Sequence, residues 1–253
     1  MRRGMSLAVL GICLATQVAV GADEAWKRKL ATALDSPIRS DAEKDRDANR
    51  RPLETLEFMR FRDDMKVLEL FPGTGWYTKL LAPVLAERGK LYLALNTNRI
   101  EGVIARTPEL ATAEVLEINP LMTSTGVHGV FDLEAFSFWL EDLDMVLTFR
   151  NAHNLSPAGR ATLNDAVFEA LRPGGLYGVV DHTRRHMEPD GPENRRRSDP
   201  VSIIHEALQA GFEFVAWSDL HYRPDDELRY EVGRKSVKGN TDRFTFLFRK
   251  PVD

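Results

Sequence analysis

The sequence predicts an α/β protein: a doubly wound, seven-stranded, mostly parallel sheet with an antiparallel last strand and N-terminal helices. From residue 66 onward, short apolar runs alternate with helical patterns, which is typical of strands joined by crossover helices. Runs such as MVLTF (145–149) and LYGVV (176–180) are almost wholly apolar, as expected of strands covered on both faces. The last two runs, EFVAW and FTFLF, are separated by a long polar segment without a helical pattern. We therefore expect the sheet to end in an antiparallel pair.

The first 22 residues have the organisation of a secretory signal peptide. Two arginines precede a mostly apolar stretch, and small residues stand at a cleavage position at 20–22. The alternative is an uncleaved anchor, although the stretch is short and broken for a membrane span. We predict a periplasmic or secreted protein with no stable membrane insertion after the signal is removed.

Composition limits the function classes. The only cysteine, Cys13, lies within the predicted signal, so the rest of the chain can form no disulfide, cysteine nucleophile or thiolate metal site. The formal net charge is −4, and loss of the arginine-bearing signal makes it more negative. An acidic protein is a poor partner for nucleic acid, and that class is set aside.

We divide the chain into a signal (1–22), an N-terminal helical segment packed on the domain (23–65) and an α/β domain (66–253).

Three helices are predicted before the first strand. The first covers 25–34 and ends at Ser36-Pro37; the second is highly charged and opens with a capping box formed by Ser40 and Glu43. A third begins at Pro52. We expect these helices to cover one edge of the sheet.

The remaining elements follow from hydrophobic periodicity and from helix start and stop signals. Ser156-Pro157 and Asp199-Pro200 each place a cap before a first-turn proline. The predicted strands are 66–70, 90–95, 113–118, 144–149, 176–181, 212–218 and 243–249, and the predicted helices between them are 76–87, 100–106, 157–171 and 200–210.

A glycine-containing loop joins the first strand to its helix in VLELFPGTG, residues 67–75. A loop with little side-chain bulk lets backbone N–H groups approach a ligand, and the following helix adds its positive N-terminal end. Such a loop at the carboxyl end of a strand is typical of a nucleotide or nucleoside site. A tight strand-to-helix turn that merely needs glycine is the alternative.

Several stretches together resemble a known class of enzymes. VLELFPGTG followed by a helix, the LRPGG turn before a strand and the antiparallel finish resemble the class I S-adenosylmethionine-dependent methyltransferases. More narrowly, ELFPGTGWYTKLLAP, LTFRNAHN, LRPGGLYGVVDH and TDRFTFLFRKP resemble a subgroup of exported, predicted methyltransferases. The resemblance covers residues 45–251. It implies a Rossmann-like methyltransferase fold, S-adenosylmethionine as cofactor and methyl transfer to an unidentified small molecule.

The resemblance also implies cofactor-binding positions. Glu69, Gly73 and Gly75 fall at the cofactor loop, where Phe71 replaces a glycine common in the class. Asn96 ends the second strand, where the class usually has a carboxylate for the ribose hydroxyls; an amide can bond a hydroxyl but lacks charge.

Two further positions complete the implied cofactor site. Asn119 stands where the class often faces the adenine, with a turn before Pro120 as the alternative. Arg150 opens a polar segment, RNAHN, after the fourth strand of the predicted sheet.

Catalytic candidates lie at the ends of two predicted strands. His153 follows one of them, and Asp181 and His182 end the next. Because these ends converge in a doubly wound sheet, we expect the three side chains to surround one small cavity together with Glu69. A histidine can take a proton during methyl transfer while a carboxylate orients it. His153 is the preferred base and His182 the second; hydrogen-bonded structural histidines are the alternative.

Two surface features admit both a functional and a structural interpretation. Trp76 and Tyr77 can attract a sulfonium by cation–π contact or simply pack the first helix of the domain. Residues 181–200 form a long, arginine-rich segment, interpreted either as a lid that selects an anionic substrate or as a solvated loop. Arg243, before the last strand, is a candidate to close over the site.

Two other functions remain open at this stage. A noncatalytic exported ligand-binding module would explain the departures at Phe71 and Asn96. A metal-assisted enzyme would use His153, Asp181 and His182, since imidazole and carboxylate suit several divalent ions. No spacing is diagnostic of a metal, and no metal site is predicted.

Overall fold

A computed structural model describes residues 25–252; the predicted signal peptide lies outside the described residues. The described part of the chain begins with a helix over residues 25–35, called α1. Three short helices follow: α2 (Asp41–Lys44), α3 (Asp47–Arg50) and α4 (Pro52–Phe58). The predicted capping box is present, because the Glu43 carboxylate accepts hydrogen bonds from the backbone N–H of Ser40 at 2.9 Å and from its hydroxyl at 3.0 Å.

Strands and helices alternate over the rest of the chain. The strands are β1 (Lys66–Leu70), β2 (Lys90–Ala94), β3 (Ala113–Val115), β4 (Met122–Ser124), β5 (Phe131–Leu133), β6 (Leu143–Phe149), β7 (Leu171–His182), β8 (Glu213–Ser218) and β9 (Arg243–Arg249). The helices are α5 (Thr78–Leu85), α6 (Asn98–Ile104), α7 (Pro157–Ala170) and α8 (Pro200–Gln209). None of the helices described is long and apolar enough to cross a bilayer.

The main sheet has seven strands in the order β3-β2-β1-β6-β7-β9-β8. β9 runs antiparallel to both neighbours, and the other pairings are parallel. The predicted doubly wound sheet with an antiparallel last strand is thereby confirmed. The strand order reverses direction between β1 and β6, the point at which ligands bind in open α/β sheets.

Three elements differ from the sequence prediction. β7 begins at Leu171, whereas the predicted strand began at residue 176 after an LRPGG turn. β4 and β5 form a separate antiparallel hairpin that the sequence did not predict, because two three-residue strands leave no alternating pattern to detect. The strand predicted at 113–118 ends at Val115. Beyond it the chain runs irregularly toward Pro120.

The N-terminal helices pack on a face of the sheet, which corrects their predicted place along an edge. Trp26, Leu30 and Leu56 belong to one buried cluster with residues of the sheet such as Leu147 and Leu247. Met59, just after α4, lies against Gly178 of β7 so closely that a side chain there would overlap its sulfur. Apolar residues at the start of the chain therefore bury their surface against the middle of the sheet.

Candidate active site at the carboxyl edge of the sheet

Two adjoining cavities lie where β1, β6 and β7 end. The smaller, about 240 Å³, is lined by the loop after β1, and the larger, about 810 Å³, by residues that include His153 and His182. They share a wall. The residues that line both are Arg46, Arg50, Arg99, Arg150 and Asn151.

The glycine loop leaves open space beside its backbone. Gly73 has φ of 61°, and no atom lies within 4 Å of the position that a Cβ would occupy there. Gly75 has φ of 83°, and a Cβ at that position would collide with Ile100. Positive φ favours glycine at both positions, but only Gly73 faces room for a ligand.

Phe71 does not fill the smaller cavity. It has φ of 52°, and its backbone N–H donates to the carbonyl of Ala94 at 2.9 Å. Its side chain packs against the hydrophobic cluster that contains Leu70 and Ala94. The ring thus forms part of the wall, and the space in front of Gly73 stays open.

Glu69 lies at the base of the smaller cavity. Only 3 % of the Glu69 surface is exposed to solvent, and its carboxylate accepts a hydrogen bond from the Thr78 hydroxyl at 2.7 Å. Burial raises the pKa of Glu69 to about 8, against the opposite effects of Thr78 and the charge of Arg50. The group therefore changes charge near neutral pH.

Asp181 and His153 form a hydrogen-bonded pair in the wall of the larger cavity. One carboxylate oxygen lies 2.7 Å from His153 Nδ1, and the other accepts from the His153 backbone N–H at 2.9 Å. Because a carboxylate accepts hydrogen bonds, this contact selects the neutral tautomer of His153 with the proton on Nδ1 and the lone pair on Nε2. The sequence predicted that these residues would lie together, and the structure places them so.

His182 occupies a different environment from His153, although their ring centroids are only 5.8 Å apart. Its Nδ1 lies 2.8 Å from the Thr241 hydroxyl. Burial, followed by the charge of Arg243, lowers the pKa of His182 well below its usual value. Of the four side chains expected in one cavity, His153 and His182 line the larger, Asp181 stands behind His153, and Glu69 lines the adjoining one.

Asn96 and Asn119 line neither of these cavities. Asn96 follows β2 in a left-handed turn, with φ of 53°, and it is exposed. Asn119 is exposed in the irregular chain after β3. The structure therefore separates these two predicted cofactor residues from the other predicted site residues. The reason is the strand order, because β2 and β3 lie toward one edge of the sheet, away from the cavities at the ends of β1, β6 and β7.

Trp76 and Tyr77 already have partners on their ring faces. The guanidinium carbon of Arg50 lies 4.2 Å from the Trp76 ring centroid, and that of Arg39 lies 5.1 Å away. Tyr77 stacks on Phe149 with a centroid distance of 3.5 Å. These contacts favour the packing interpretation for both residues.

Three of the five arginines of segment 181–200 are engaged in ion pairs. Arg197 and Asp226 pair through two hydrogen bonds of 2.9 Å with both side chains fully buried. Arg184 pairs with Asp190, and Arg196 pairs with Glu231. Only Arg196 of this segment's arginines lines the larger cavity, which argues against the lid interpretation of the segment.

Three of the arginines in the cavity walls, Arg46, Arg50 and Arg99, were not predicted as site residues. Arg50 and Arg46 belong to the charged N-terminal stretch, whose alternating signs are typical of a solvated helix. Arg50 is nevertheless only 6 % exposed. Arg243, predicted to close over the site, does line the larger cavity with Arg150.

No group of three or more His, Cys, Asp or Glu side chains within residues 25–252 could hold a metal ion. This finding includes the three ligands considered for a metal-assisted enzyme, which are His153, Asp181 and His182. Their nitrogen and oxygen atoms instead face one another or Thr241.

Sequence comparison found no matching family model and no matching curated protein. Structure comparison found similar folds. A SAM-dependent methyltransferase from Aquifex aeolicus aligns with a TM-score of 0.57 and 16% identity over 90% of this chain and 98% of that one. The [4+2]-cyclase SpnF aligns with a TM-score of 0.58 and 14% identity over 100% of both chains.

A third similar structure is the glycopeptide N-methyltransferase MtfA complexed with sinefungin, with a TM-score of 0.50 and 15% identity over 81% of this chain and 87% of that one. Identities this low show a shared architecture, since one fold hosts many chemistries. The chain has the seven-stranded Rossmann-like fold found in these methyltransferases and in the cyclase.

Proposed function

We propose that this protein transfers a methyl group from S-adenosylmethionine to a small molecule. The smaller cavity holds the cofactor, and the larger cavity holds the acceptor. The observation that carries the proposal is the shared wall: the open backbone at Gly73 and the His153–Asp181 pair border cavities that have five residues in common. A donor and an acceptor can therefore meet inside the protein.

The residues of the smaller cavity fit such a cofactor. Its volume of about 240 Å³ lies below the usual range for ligand sites, so part of the cofactor must reach the shared wall. Arg50 there can pair with the carboxylate of its methionine portion, and Glu69 can accept from the ammonium group. When bound, S-adenosylmethionine supplies a methyl carbon that is already electrophilic.

The acceptor's nucleophile needs to lose a proton as its new bond to carbon forms. His153 Nε2 is the base, since Asp181 fixes Nδ1 as the protonated nitrogen. S-adenosylmethionine would supply the methyl group to the acceptor's oxygen or nitrogen and would leave as S-adenosylhomocysteine, and His153 would take the proton that this atom loses. His182 is unsuitable as the base because its lowered pKa keeps the imidazole from holding a proton.

Structural neighbours add support. Two solved proteins of this fold are described as methyltransferases, one of them SAM dependent and the other complexed with sinefungin. We further propose that the protein belongs to an exported subgroup and acts in the periplasm or outside the cell, on the basis of the signal-like first 22 residues. N-terminal sequencing of the protein isolated from that compartment tests this.

A noncatalytic ligand-binding module is the second candidate. Exposure of Asn96 outside both cavities favours it, because this side chain does not border the space assigned to the cofactor. In this case the protein binds S-adenosylhomocysteine but transfers no methyl group.

Calorimetric titration with S-adenosylmethionine and S-adenosylhomocysteine tests the proposal. We expect Gly73→Val to weaken binding at least tenfold, because its side chain would enter the open space. Gly126→Val is the matched control, since Gly126 also has positive φ, at 87°, and open space but belongs to the β4–β5 hairpin. If neither compound binds the native protein, or if both variants behave alike, the proposal is wrong.

A further inference from the structure

Three guanidinium groups meet at the larger cavity from separate parts of the chain; Arg50 and Arg243 are buried, and Arg150 is partly buried. Arg50 ends α3, Arg150 follows β6, and Arg243 begins β9. Arg46 and Arg99 stand exposed at the same cavity. None of the described residues that line this cavity is an aspartate or a glutamate. The space is therefore bordered by positive charge without a compensating acid in its lining.

No carboxylate within residues 25–252 forms an ion pair with these three arginines. Arg50 rests on Trp76, and Arg243 donates to the backbone carbonyl of Asn49 at 2.9 Å. The Nε atoms of Arg150 and Arg243 are buried without a hydrogen-bond partner. Contacts with neutral groups thus hold the side chains in place and leave N–H donors unused.

The electrostatic environment of the three is unfavourable. Burial lowers the pKa of Arg50, Arg150 and Arg243, and neighbouring arginines lower it further. Glu69 and Asp181, which interact electrostatically with Arg50 and Arg150, already accept hydrogen bonds from Thr78 and His153. Buried charge without a partner reduces stability, so an arrangement of this kind is better explained by a ligand than by a contribution to folding.

We propose that the methyl acceptor carries at least two anionic oxygen groups, carboxylate or phosphate, bound by Arg150 and Arg243 beside His153. This inference rests on the proposed function. Guanidinium groups donate in a planar fork that matches both kinds of anion. Arg50 and Arg150 border both cavities, whereas Arg243 borders only the larger one. Arg50 is thus available to the cofactor's own carboxylate, and Arg243 belongs to the acceptor.

Titration of the purified full-length protein with inorganic pyrophosphate and with malonate tests this inference, each with and without saturating S-adenosylhomocysteine. We expect at least one anion to bind in both conditions. Arg243→Gln should raise its Kd at least tenfold. The control Arg185→Gln removes the same charge from an exposed residue outside both cavities and should change Kd less than twofold.

A second measurement shows whether Arg243→Gln folds. Because the substitution removes an uncompensated buried charge, its Tm without anion should equal or exceed that of the native protein. A folded variant that binds the anions as tightly as the native protein, or a native protein that binds neither, overturns the inference. Displacement of the anions by S-adenosylhomocysteine also overturns it, because the arginines then serve the cofactor. If S-adenosylhomocysteine fails to bind while anion binding depends on Arg243, methyl transfer is wrong and the anion site stands.

Discussion

Asp181 holds His153 by two hydrogen bonds, one to the ring at 2.7 Å and one to the backbone at 2.9 Å. The same carboxylate accepts the backbone N–H of His182 at 2.7 Å. One fully buried acid therefore fixes the loop after β6 and the end of β7 together. The orientation of the proposed base depends on this single group.

Replacing Asp181 by Asn should disturb both the fold and the ring of His153. An amide presents one acceptor oxygen where three donors now converge, so we expect the unfolding free energy to fall by about 1–3 kcal/mol. The signal of His153 in ¹⁵N NMR should show a proton on Nδ1 in the native protein and a mixture of tautomers in the variant. Asp165→Asn, at an exposed position of α7, should change neither measurement.

Glu69 should make stability depend on pH. Its folded pKa of about 8 exceeds the usual value of 4.5, so the folded state retains a proton that the unfolded state has lost. Stability therefore decreases as pH rises from about 4.5 to about 8. Glu69→Gln keeps an acceptor for Thr78 and has no carboxyl group to lose a proton. At pH 8.5 the variant should therefore be more stable than the native protein, by an amount on the order of a few kcal/mol. Urea unfolding at pH 5 and 8.5 measures the difference; a variant no more stable at pH 8.5 would contradict the assignment.

Gly75 should tolerate substitution less well than Gly102. Gly75→Ala introduces both a left-handed alanine and a collision with Ile100, and we expect a loss of about 1–3 kcal/mol. Gly102→Ala lies within α6, where the nearest other atoms to its Cβ are 3.8 Å away, and should be neutral or stabilising by up to about 1 kcal/mol. Combining Gly75→Ala with Ile100→Val should recover part of the loss, as measured by thermal unfolding.

Arg197 should contribute to the free energy of unfolding and not to anion binding. Its ion pair with Asp226 is fully buried, and Arg197→Ala leaves that carboxylate without a counter-charge. We expect a loss of about 3–5 kcal/mol by urea unfolding. Arg185→Ala, on the exposed part of the same segment, should remain within about 0.5 kcal/mol of the native protein. Equal stability of the two variants would show that segment 181–200 is not held by this pair.

The strands and helices of the sheet region were predictable because each of them leaves a signal within its own stretch of sequence. Apolar runs such as LYGVV and the paired cap and proline at Ser156-Pro157 each identify an element without reference to the rest of the chain. The meeting of His153 with Asp181 was also predictable, because neighbouring parallel strands end at the same edge.

The positions of the arginines in the cavity walls depend on contacts between residues that are far apart in the sequence. Arg50 is buried because Trp76 and Tyr77 cover it, and no pattern within the charged N-terminal stretch reveals that contact. Segment 181–200 shows the same dependence. Its arginines fitted either a lid that selects an anion or a solvated loop, and only the tertiary structure brings Asp226 to Arg197.

The placement of α2 and α3 makes the choice of ligand separable from the sheet. Ala42, Arg46, Asn49 and Arg50 contribute to the larger cavity from a stretch that forms no part of the sheet. A few replacements in that stretch can alter which molecules enter while the parallel strands stay intact. Proteins with the same strands can thus differ in specificity through a short helical stretch that precedes them.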